Sequence, residues 1–320
     1  MDFDGLQKAV SSIDLRSCLI SQNGTTAFEY YRDERAKDEP AKINSCTKSI
    51  VSALFCIGMD RRLIPEVTTP AADFFPQLAA SGDSRKRQIT LEHLLTMTAG
   101  FNWTEFGGQK SFPRMTRSSH WVDFVLEQPL SEAPGTRFEY NSGVSQMLSA
   151  ILCEVTGMTT ARFAELNLFG PLGIESYEWE IDPQGVHTGG YGMWMKPGDL
   201  LKFGQLYLQQ GKWGQEQLIS SERIMQSVRP YIMVDPPWLG GYGWHWWVDR
   251  FSVPTEGQAP GTSIDYFYAR GFGGQFVYVV PQLKTVVVLT EDKRKKDRHK
   301  IEIFREWIVP LLLRGFSGIR

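Results

Sequence analysis

The sequence predicts a mixed α/β (α+β) fold, in which an antiparallel sheet built from both ends of the chain is flanked by helices and accompanied by an α-helical domain. Strand-like runs occur near both termini, and helical periodicity dominates the residues between them. The composition is that of a globular protein, because 42% of the 320 residues are hydrophobic and 22% are charged. These values are typical of globular proteins and exclude disordered, collagen-like and coiled-coil chains.

The N-terminal region is predicted to form a hairpin followed by a buried helix. Residues 15–31 contain two β-prone runs separated by Gln22-Asn23-Gly24, and Asn-Gly between such runs is a strong hairpin signal. After a charged loop, the segment 43–58 has apolar residues on every side of a helix. A helix with this pattern is expected to be buried on all sides.

Three further helices are predicted between the two strand-rich regions. The first begins at Thr90 and ends before Gly100. The second, 143–156, has apolar residues at i, i+3 and i+4 spacing and is followed by Gly157 as a C-cap. The third, 197–210, has a proline in its first turn.

The C-terminal region is predicted to supply the rest of the sheet. Aromatic or β-branched residues dominate four runs: 242–248, 263–270, 275–280 and 285–290. A turn at 281–284 joins the last two runs, and a helix over 301–313 closes the chain.

The order of elements predicts two domains. The sheet domain is expected to comprise 1–64, 160–190 and 241–320. The mainly helical domain is expected to comprise 65–159 and 191–240. We expect the active site in the cleft between them, because ligand sites favour domain interfaces.

Charge, hydropathy and cysteine spacing argue against nucleic acid, membrane and metal as partners. The net charge of -2 provides no basic field for nucleic acid. The N-terminus has no secretory signal and no stretch approaches about 20 apolar residues, so we expect a cytoplasmic protein without a membrane partner. The four cysteines show no metal-ligand spacing and are expected to be reduced. No metal and no other cofactor is predicted, and the oligomeric state is left open.

Ser45-Cys46-Thr47-Lys48 places a serine and a lysine three residues apart at the start of the buried helix. Residues at this spacing share a helix face, so the hydroxyl and the amine are predicted to be neighbours. Burial and the helix dipole disfavour the ammonium form, which lets Lys48 act as the base for a Ser45 nucleophile. The Ser45 amide is a candidate oxyanion donor. The structural alternative is an N-cap serine and a lysine that extends to solvent.

Two other segments complete a candidate active site. Tyr140 lies between a turn at 134–135 and the predicted helix 143–156, where it can project into a cleft. A glycine-rich segment, 271–275, opens a predicted strand, and glycines there let a ligand approach the backbone. Serine with lysine, then tyrosine, then a glycine-rich strand form a three-part constellation.

Longer segments accompany these motifs: SCTK, ITLEHLLTMTAGF, PGTRFEYNSG, KPGDLLKFGQLYLQQGKW and ARGFGGQFVYVVPQLKTVVVLT. Together they resemble the penicillin-binding-protein and class C β-lactamase family of serine hydrolases, including its esterase and 6-aminohexanoate-dimer hydrolase branches. The resemblance implies that Ser45 is the nucleophile, Lys48 its base and Tyr140 a second proton carrier. It also implies an oxyanion hole made by the backbone amides of Ser45 and Gln275.

Two positions depart from the family pattern and bear on the substrate. Ser142 stands where the family usually has an asparagine that contacts the lysine and the substrate. In the third box, Phe272-Gly273-Gly274 offers neither the cation nor the hydroxyl that hold a substrate carboxylate in relatives. Arg270, on the same strand face as Phe272, is a candidate replacement, and its alternative role is a surface ion pair.

Two further segments have weaker functional interpretations. His187-Thr188-Gly189 imitates the third box but lies too soon after Tyr140. Four tryptophans are a candidate wall for an acyl group, although a strand buried on both faces is the favoured interpretation. They are Trp238, Trp244, Trp246 and Trp247.

The leading interpretation is a serine hydrolase that cleaves a small ester or amide through an acyl-Ser45 intermediate. β-Lactamase or D-alanyl peptidase activity is one alternative. A sensor or binding protein that forms an acyl-serine without turnover is another. A cysteine hydrolase is a more distant alternative, because Cys46 would point about 100 degrees away from Ser45 on the helix.

Overall fold

The computed structural model describes residues 3–13, 15–106, 109–236, 238–252, 263–292 and 303–317 of the chain. Its strands are β1 (Ser17–Gln22), β2 (Thr25–Tyr31), β3 (Ala41–Lys42), β4 (Tyr177–Trp179), β5 (Met193–Met195), β6 (Lys212–Trp213), β7 (Glu216–Gln217), β8 (Ile232–Met233), β9 (Gly241–Tyr242), β10 (Trp247–Ser252), β11 (Ser263–Gly271), β12 (Gln275–Val280) and β13 (Thr285–Thr290). Its α-helices are α1 (Asp4–Ser12), α2 (Glu34–Asp38), α3 (Thr47–Asp60), α4 (Pro76–Ala80), α5 (Leu91–Leu95), α6 (Ser111–Met115), α7 (Trp121–Glu127), α8 (Ser142–Thr156), α9 (Thr160–Ala164), α10 (Gly170–Leu172), α11 (Pro197–Leu208), α12 (Ser221–Ser227) and α13 (Val309–Ser317).

The main sheet joins the two ends of the chain. Eight strands lie in the order β2-β1-β13-β12-β11-β10-β9-β8, and each strand pairs antiparallel with its neighbours. β1 pairs with β13, with Leu19 opposite Val288. The predicted N-terminal hairpin and the predicted strands 275–280 and 285–290 are confirmed. The predicted fold class is confirmed with them, because the antiparallel sheet is built from both termini and flanked by helices.

Helices cover both faces of this sheet. α11 lies against β12 and β13, where a Cβ on Gly204 would come within 2.5 Å of Val286, so this approach needs glycine. On the opposite face, Tyr278 stacks on Phe304 with ring centroids 3.8 Å apart. Phe304 belongs to a π-helical segment, Ile303–Ile308, that precedes α13. The predicted C-terminal helix is therefore present from residue 303, and residues 301–302 lie outside the described residues.

The helices that position the site pack around α3 and α8. α3 is buried over 47–59, as its all-round apolar pattern predicts. α8 is capped by the Asn141 side chain and ends at Gly157, whose φ of 64° is left-handed. α5 begins at the predicted Thr90 capping residue but is shorter than the predicted span.

The predicted strand 242–248 is wrong in its centre. β9 ends at Tyr242 and β10 begins at Trp247, and the chain reverses direction between them, because the two strands pair antiparallel with Tyr242 opposite Trp247. His245 has a left-handed backbone with φ of 57°, and both its N–H and its ring Nδ1 bond the Leu95 carbonyl oxygen, at 2.9 and 2.8 Å. These contacts with α5 replace the ladder bonds that a continuous strand would make.

The predicted division into two domains stays a prediction, and two elements of the range 191–240 contact the sheet. α11 packs on β12 and β13, and β8 is the last strand on one edge. The apolar face of α11 covers valines of β12 and β13 that an uncovered sheet face would leave in water. Both elements therefore contribute to the sheet's packing although the sequence places them among helices.

The cysteines are unpaired, as predicted. Three of them are buried, the fourth is partly exposed, and none forms a disulfide; they are Cys18, Cys46, Cys56 and Cys153. Among the described residues, no helix is both long enough and apolar enough to cross a lipid bilayer.

Candidate active site

Ser45 lies in a 3-10 turn, Asn44–Cys46, at the start of α3 and next to the sheet. Asn44 has a left-handed backbone with φ of 47°, which asparagine tolerates, and its side-chain amide donates to the Phe272 carbonyl oxygen at 2.8 Å. A Cβ on Gly271 would lie 2.2 Å from the Ile43 carbonyl oxygen, so glycine is needed there too. These contacts hold the serine turn against the end of β11 and leave Ser45 partly exposed.

Lys48 lies one turn further along α3 and is buried. Its Nζ is 3.4 Å from Ser45 Oγ, 2.8 Å from Ser142 Oγ and 2.7 Å from the Gly190 carbonyl oxygen. Burial lowers the pKa of Lys48 from 10.5 to about 8, and the charge of Glu105 opposes that shift. In mildly alkaline solution a large share of the amine is therefore neutral and able to accept the Ser45 proton.

Tyr140 reaches the same group from the start of α8. Its side chain interacts with that of Ser45, and Lys48 Nζ lies 4.7 Å from the centre of its ring. Burial raises the pKa of Tyr140 above its ordinary value, and the interaction with the Ser45 side chain opposes only part of this shift. The phenol is protonated at neutral pH, so it is suited to passing a proton rather than to acting as a phenolate base.

Ser142 occupies the position where the resemblance leads one to expect asparagine, and it contacts Lys48. Its hydroxyl accepts a hydrogen bond from Lys48 Nζ and donates one to Glu105 Oε1. Oε2 of Glu105 accepts from Trp103 Nε1 at 2.7 Å and from the Ser142 backbone N–H at 2.9 Å. Asn141 points elsewhere, because its side chain caps α8. The site thus contains a chain of polar groups that runs from the partly exposed Glu105 through the buried Ser142 to the buried Lys48.

Sequence reasoning did not find Glu105 or Gly190. Glu105 lies in a loop that no motif spacing links to Ser45, and Gly190 contributes a backbone carbonyl. One signal was available: His187-Thr188-Gly189 is followed by a second glycine, and a Cβ on Gly190 would lie 2.8 Å from the Ser142 Cβ. The paired glycines mark a close approach of this segment to α8, although the segment is not the third-box strand.

The glycine-rich turn lies beside Ser45 and orients Gln275. Gly273 and Gly274 have positive φ angles of 84° and 100°, which favour glycine. The Gln275 side chain is buried and bonds the backbone of Glu291 twice, at 2.6 and 3.2 Å. The backbone carbonyl oxygen of Gln275 lies 3.6 Å from Cys46 Sγ. The predicted oxyanion hole of the Ser45 and Gln275 amides stays a prediction, which this placement supports.

Aromatic rings form one side of the site. Trp238 stacks on Tyr140 with ring centroids 6.0 Å apart, and Trp247 stacks on the same tyrosine at 5.9 Å. Trp244 and Trp246 are fully buried in the core. The four tryptophans therefore have two different roles. Of the four, only Trp238 and Trp247 stack on Tyr140, and the other two fill the interior.

Arg270 lies against this aromatic wall. Its guanidinium carbon is 4.8 Å from the centre of the Trp238 ring and 5.9 Å from that of Trp247. The surface ion pair expected for Arg270 is not found within the described part of the chain, where cation–π contacts take its place. The Phe272 side chain is 43% exposed.

The arrangement contains the groups that acyl transfer requires: a hydroxyl, a buried amine of lowered pKa, a phenol and backbone N–H groups. Among the described residues, no group of three or more His, Cys, Asp or Glu side chains could hold a metal ion.

A model of the β-lactamase family matches residues 17–306, which is most of the chain. The chain belongs to the β-lactamase family. Membership of this family supports a hydrolase and confirms the resemblance drawn from the motifs.

The similar proteins are distant in sequence. The D-alanyl-D-alanine-carboxypeptidase/endopeptidase AmpH of Escherichia coli (strain K12) is 22% identical over 192 residues, 53% of this chain and 49% of the relative. This chain thus spans about half the length of the curated relatives it matches. A Bacillus anthracis protein provisionally named as a 6-aminohexanoate-dimer hydrolase has a TM-score of 0.79 at 18% identity, over 98% of this chain and 82% of that chain.

A further solved structure is EstCE1, described as a hydrolase with promiscuous acyltransferase activity. It has a TM-score of 0.73 at 16% identity, over 97% of this chain and 96% of that chain. At these identities the structural likeness establishes the shared fold, a β-lactamase-like combination of helices with an antiparallel sheet.

Proposed function

We propose that this chain is a serine hydrolase that cleaves small esters or amides through an acyl-Ser45 intermediate. The observation that carries the proposal is the cluster of Ser45, Lys48 and Tyr140, in which a buried amine of lowered pKa lies 3.4 Å from the serine hydroxyl and 4.7 Å from the centre of the tyrosine ring. Family membership supports a hydrolase. The likeness to EstCE1, whose description names an acyltransferase activity, supports acyl transfer as the chemistry.

The proposed reaction has two halves. Ser45 Oγ attacks the substrate carbonyl carbon while its proton passes to Lys48 Nζ, and the amides of Ser45 and Gln275 donate to the oxygen that becomes negative. The proton then moves from Lys48 through the Tyr140 hydroxyl to the leaving group, which departs as an alcohol or amine. Water attacks the acyl-Ser45 carbonyl with the same groups as base and acid, and the acid product leaves.

The surroundings of Ser45 favour neutral substrates over substrates that carry a carboxylate. The glycine-rich turn presents an exposed ring, Phe272, and bare backbone. Arg270, the candidate anchor, lies against Trp238. A cavity of about 330 Å³ beside Tyr140 is lined by aromatic rings, by three carboxylates that include Glu105, and by one cation, Arg137. Because the three carboxylates outnumber the single cation, the cavity disfavours a substrate carboxylate.

We expect p-nitrophenyl butyrate to be hydrolysed with a higher kcat/KM than a chromogenic cephalosporin. A missing charge-assisted anchor costs about 1.5–3 kcal/mol, which is about ten- to hundredfold in rate for the carboxylate-bearing substrate. Both values are measured on one preparation. A cephalosporin value well above the ester value would favour β-lactamase instead, and Arg270→Ala would then test the anchor.

Two further measurements distinguish the proposed hydrolase from its alternatives. The D-alanyl peptidase alternative, supported by the name of the AmpH relative, requires release of D-alanine from short D-alanyl peptides. A non-turnover sensor would release one equivalent of p-nitrophenol per protein and then stop, with the acyl group retained in the intact mass. Sustained ester turnover with no accumulated acyl-protein would exclude the sensor.

We also expect kcat/KM for a neutral ester to rise with pH through a value near the Lys48 pKa of about 8. Below this pH the amine is protonated and has no electron pair for the Ser45 proton, and above it the amine is neutral. Because Lys48 and Tyr140 exchange protons, the apparent pKa belongs to the pair. Tyr140→Phe should lower the plateau and keep a rising limb. A profile without a limb in this range would exclude Lys48 as the base.

A further inference from the structure

The Ser142 hydroxyl has one hydrogen and two strong partners. Its Oγ lies 2.8 Å from Lys48 Nζ and in hydrogen-bond contact with Glu105 Oε1. An ionised carboxylate can only accept, so the hydroxyl hydrogen points to Glu105 and an oxygen lone pair faces Lys48. The direction of the bond between Lys48 and Ser142 is therefore decided by Glu105.

This direction determines where the free electron pair of neutral Lys48 points. A neutral amine has two hydrogens and one lone pair. Ser142 Oγ and the Gly190 carbonyl oxygen are both acceptors and take the two hydrogens, at 2.8 and 2.7 Å. The lone pair is left for the remaining neighbour, Ser45 Oγ at 3.4 Å. The base thus faces its nucleophile.

Without the carboxylate, the Ser142 hydroxyl has a second choice. A serine hydroxyl donates as readily as it accepts, so it is free to turn its hydrogen to the Lys48 lone pair. That bond would occupy the electron pair that must take the Ser45 proton. An asparagine side-chain oxygen, usual at this position in the family pattern, only accepts and needs no such partner.

We propose that Glu105 is a positioning residue, which takes the hydroxyl hydrogen of Ser142 and so turns the electron pair of Lys48 toward Ser45. The inference rests on the proposed hydrolase function. Glu105 is itself held for this role, because the Trp103 indole N–H and the Ser142 backbone N–H both bond Oε2 and leave Oε1 for the hydroxyl.

Glu105 also dominates the charge around Lys48. The titratable groups that face the amine are Glu105, Cys46 on the same helix turn, Tyr140 and the buried His245. Burial raises the pKa of Cys46 and of Tyr140 and lowers that of His245 to about 3, so these three are neutral near neutral pH. The carboxylate of Glu105 is the charge that raises the Lys48 pKa against the effect of burial.

Glu105→Gln tests the proposal, because glutamine keeps the size and loses the charge. Its amide oxygen must face the two fixed donors, the Trp103 indole and the Ser142 backbone N–H, so its NH2 group donates to Ser142 Oγ. The Ser142 hydrogen is then released toward Lys48. We expect the plateau kcat for p-nitrophenyl butyrate to fall about ten- to hundredfold. The rising limb should move to lower pH by about one unit.

Two variants provide the comparison. Glu180→Gln removes a carboxylate from a different lysine, since Glu180 pairs with Lys42 at 2.9 Å outside the site, and should leave plateau and limb unchanged. In a Ser142→Ala background the hydroxyl is absent, so adding Glu105→Gln should lower the plateau less than about twofold while the limb still moves. Equal plateau losses in the two backgrounds would overturn the action through Ser142.

A measurement without turnover separates this inference from the proposed function. Ester turnover that disappears in Ser45→Ala establishes the hydrolase, and its absence would count against the function alone. The Lys48 pKa is then followed by NMR titration of protein with isotope-labelled lysine Cε, with Lys48→Met for assignment. We expect a lower Lys48 pKa in Glu105→Gln than in wild type. An identical pKa, or an undiminished plateau in an active enzyme, would overturn the role of Glu105.

If thermal melting shows that Glu105→Gln does not fold, Trp103→Phe is the variant that tests the role of Glu105. This variant keeps an aromatic ring and removes the indole donor that holds Glu105 Oε2. We expect a severalfold lower plateau with the limb in place, because the carboxylate loses its orientation and keeps its charge. A wild-type plateau in a folded Trp103→Phe enzyme would count against positioning by Glu105.

Discussion

Replacing Ser45 by alanine is expected to abolish turnover of p-nitrophenyl butyrate and to leave the protein folded. Ser45 Oγ is the atom that forms the proposed acyl bond, so the rate should fall by about 10⁴-fold or more. Loss of a small hydroxyl at a helix start costs at most about 1 kcal/mol of stability. Steady-state turnover, thermal melting and intact mass after exposure to the ester measure these outcomes, and the acyl adduct should be absent.

The neighbouring Cys46 is not expected to replace the lost nucleophile. It is 1% exposed, its Sγ lies 3.6 Å from the Gln275 carbonyl oxygen, and burial raises the pKa of its thiol. The reactive thiolate is therefore absent at neutral pH. Ser52→Ala is the matched control, because Ser52 lies on the same helix and its hydroxyl donates to the Trp244 carbonyl oxygen at 2.6 Å. It should keep turnover. Activity retained in folded Ser45→Ala would refute the nucleophile.

Lys48→Met is expected to be nearly as damaging. Methionine keeps an unbranched apolar side chain but offers no acceptor for the Ser45 proton, and loss of a general base lowers rates by about 10²–10⁴-fold. The rising limb near pH 8 should also disappear, because titration of this buried amine is its proposed cause. The pH dependence of the residual ester hydrolysis checks both expectations.

Lys86→Met is the matched control for Lys48. Lys86 is also a buried lysine, 6% exposed, whose pKa is lowered by burial and whose Nζ donates to the Leu126 carbonyl oxygen outside the site. Its replacement should affect stability and leave kcat/KM and the pH limb unchanged. If Lys48→Met instead kept either the wild-type kcat/KM or the limb, another group would have to be the base.

Features with a local signal could be predicted from the sequence. Asn23-Gly24 predicted the first hairpin, and the all-round apolar pattern predicted the buried α3. The Ser-x-x-Lys spacing predicted that Ser45 and Lys48 are neighbours, and their reactive atoms are 3.4 Å apart. In each case the geometry follows from residues within a few positions of one another, where backbone periodicity alone determines the distance.

Predictions that depended on distant partners were less complete. The run 242–248 is apolar and aromatic enough for a strand, yet His245 turns toward the Leu95 carbonyl oxygen of α5. Arg270 has the position of a surface residue on β11, yet aromatic rings from other segments cover it. Propensity describes what a segment can form, and contacts with other segments decide between the options.

By itself, the sequence determined the fold class, the family and the helix that carries Ser45 and Lys48, because periodicity and motif spacing are properties of neighbouring residues. The tertiary structure alone decided which groups besides Ser45 surround the Lys48 amine. Every residue has a backbone carbonyl, and only folding brings that of Gly190 within 2.7 Å of Nζ. The carboxylate of Glu105 reaches Ser142 in the same way, from a loop distant in the chain. A hydrogen bond requires its two atoms to be placed to within a few tenths of an ångström, and residue types alone do not specify that placement.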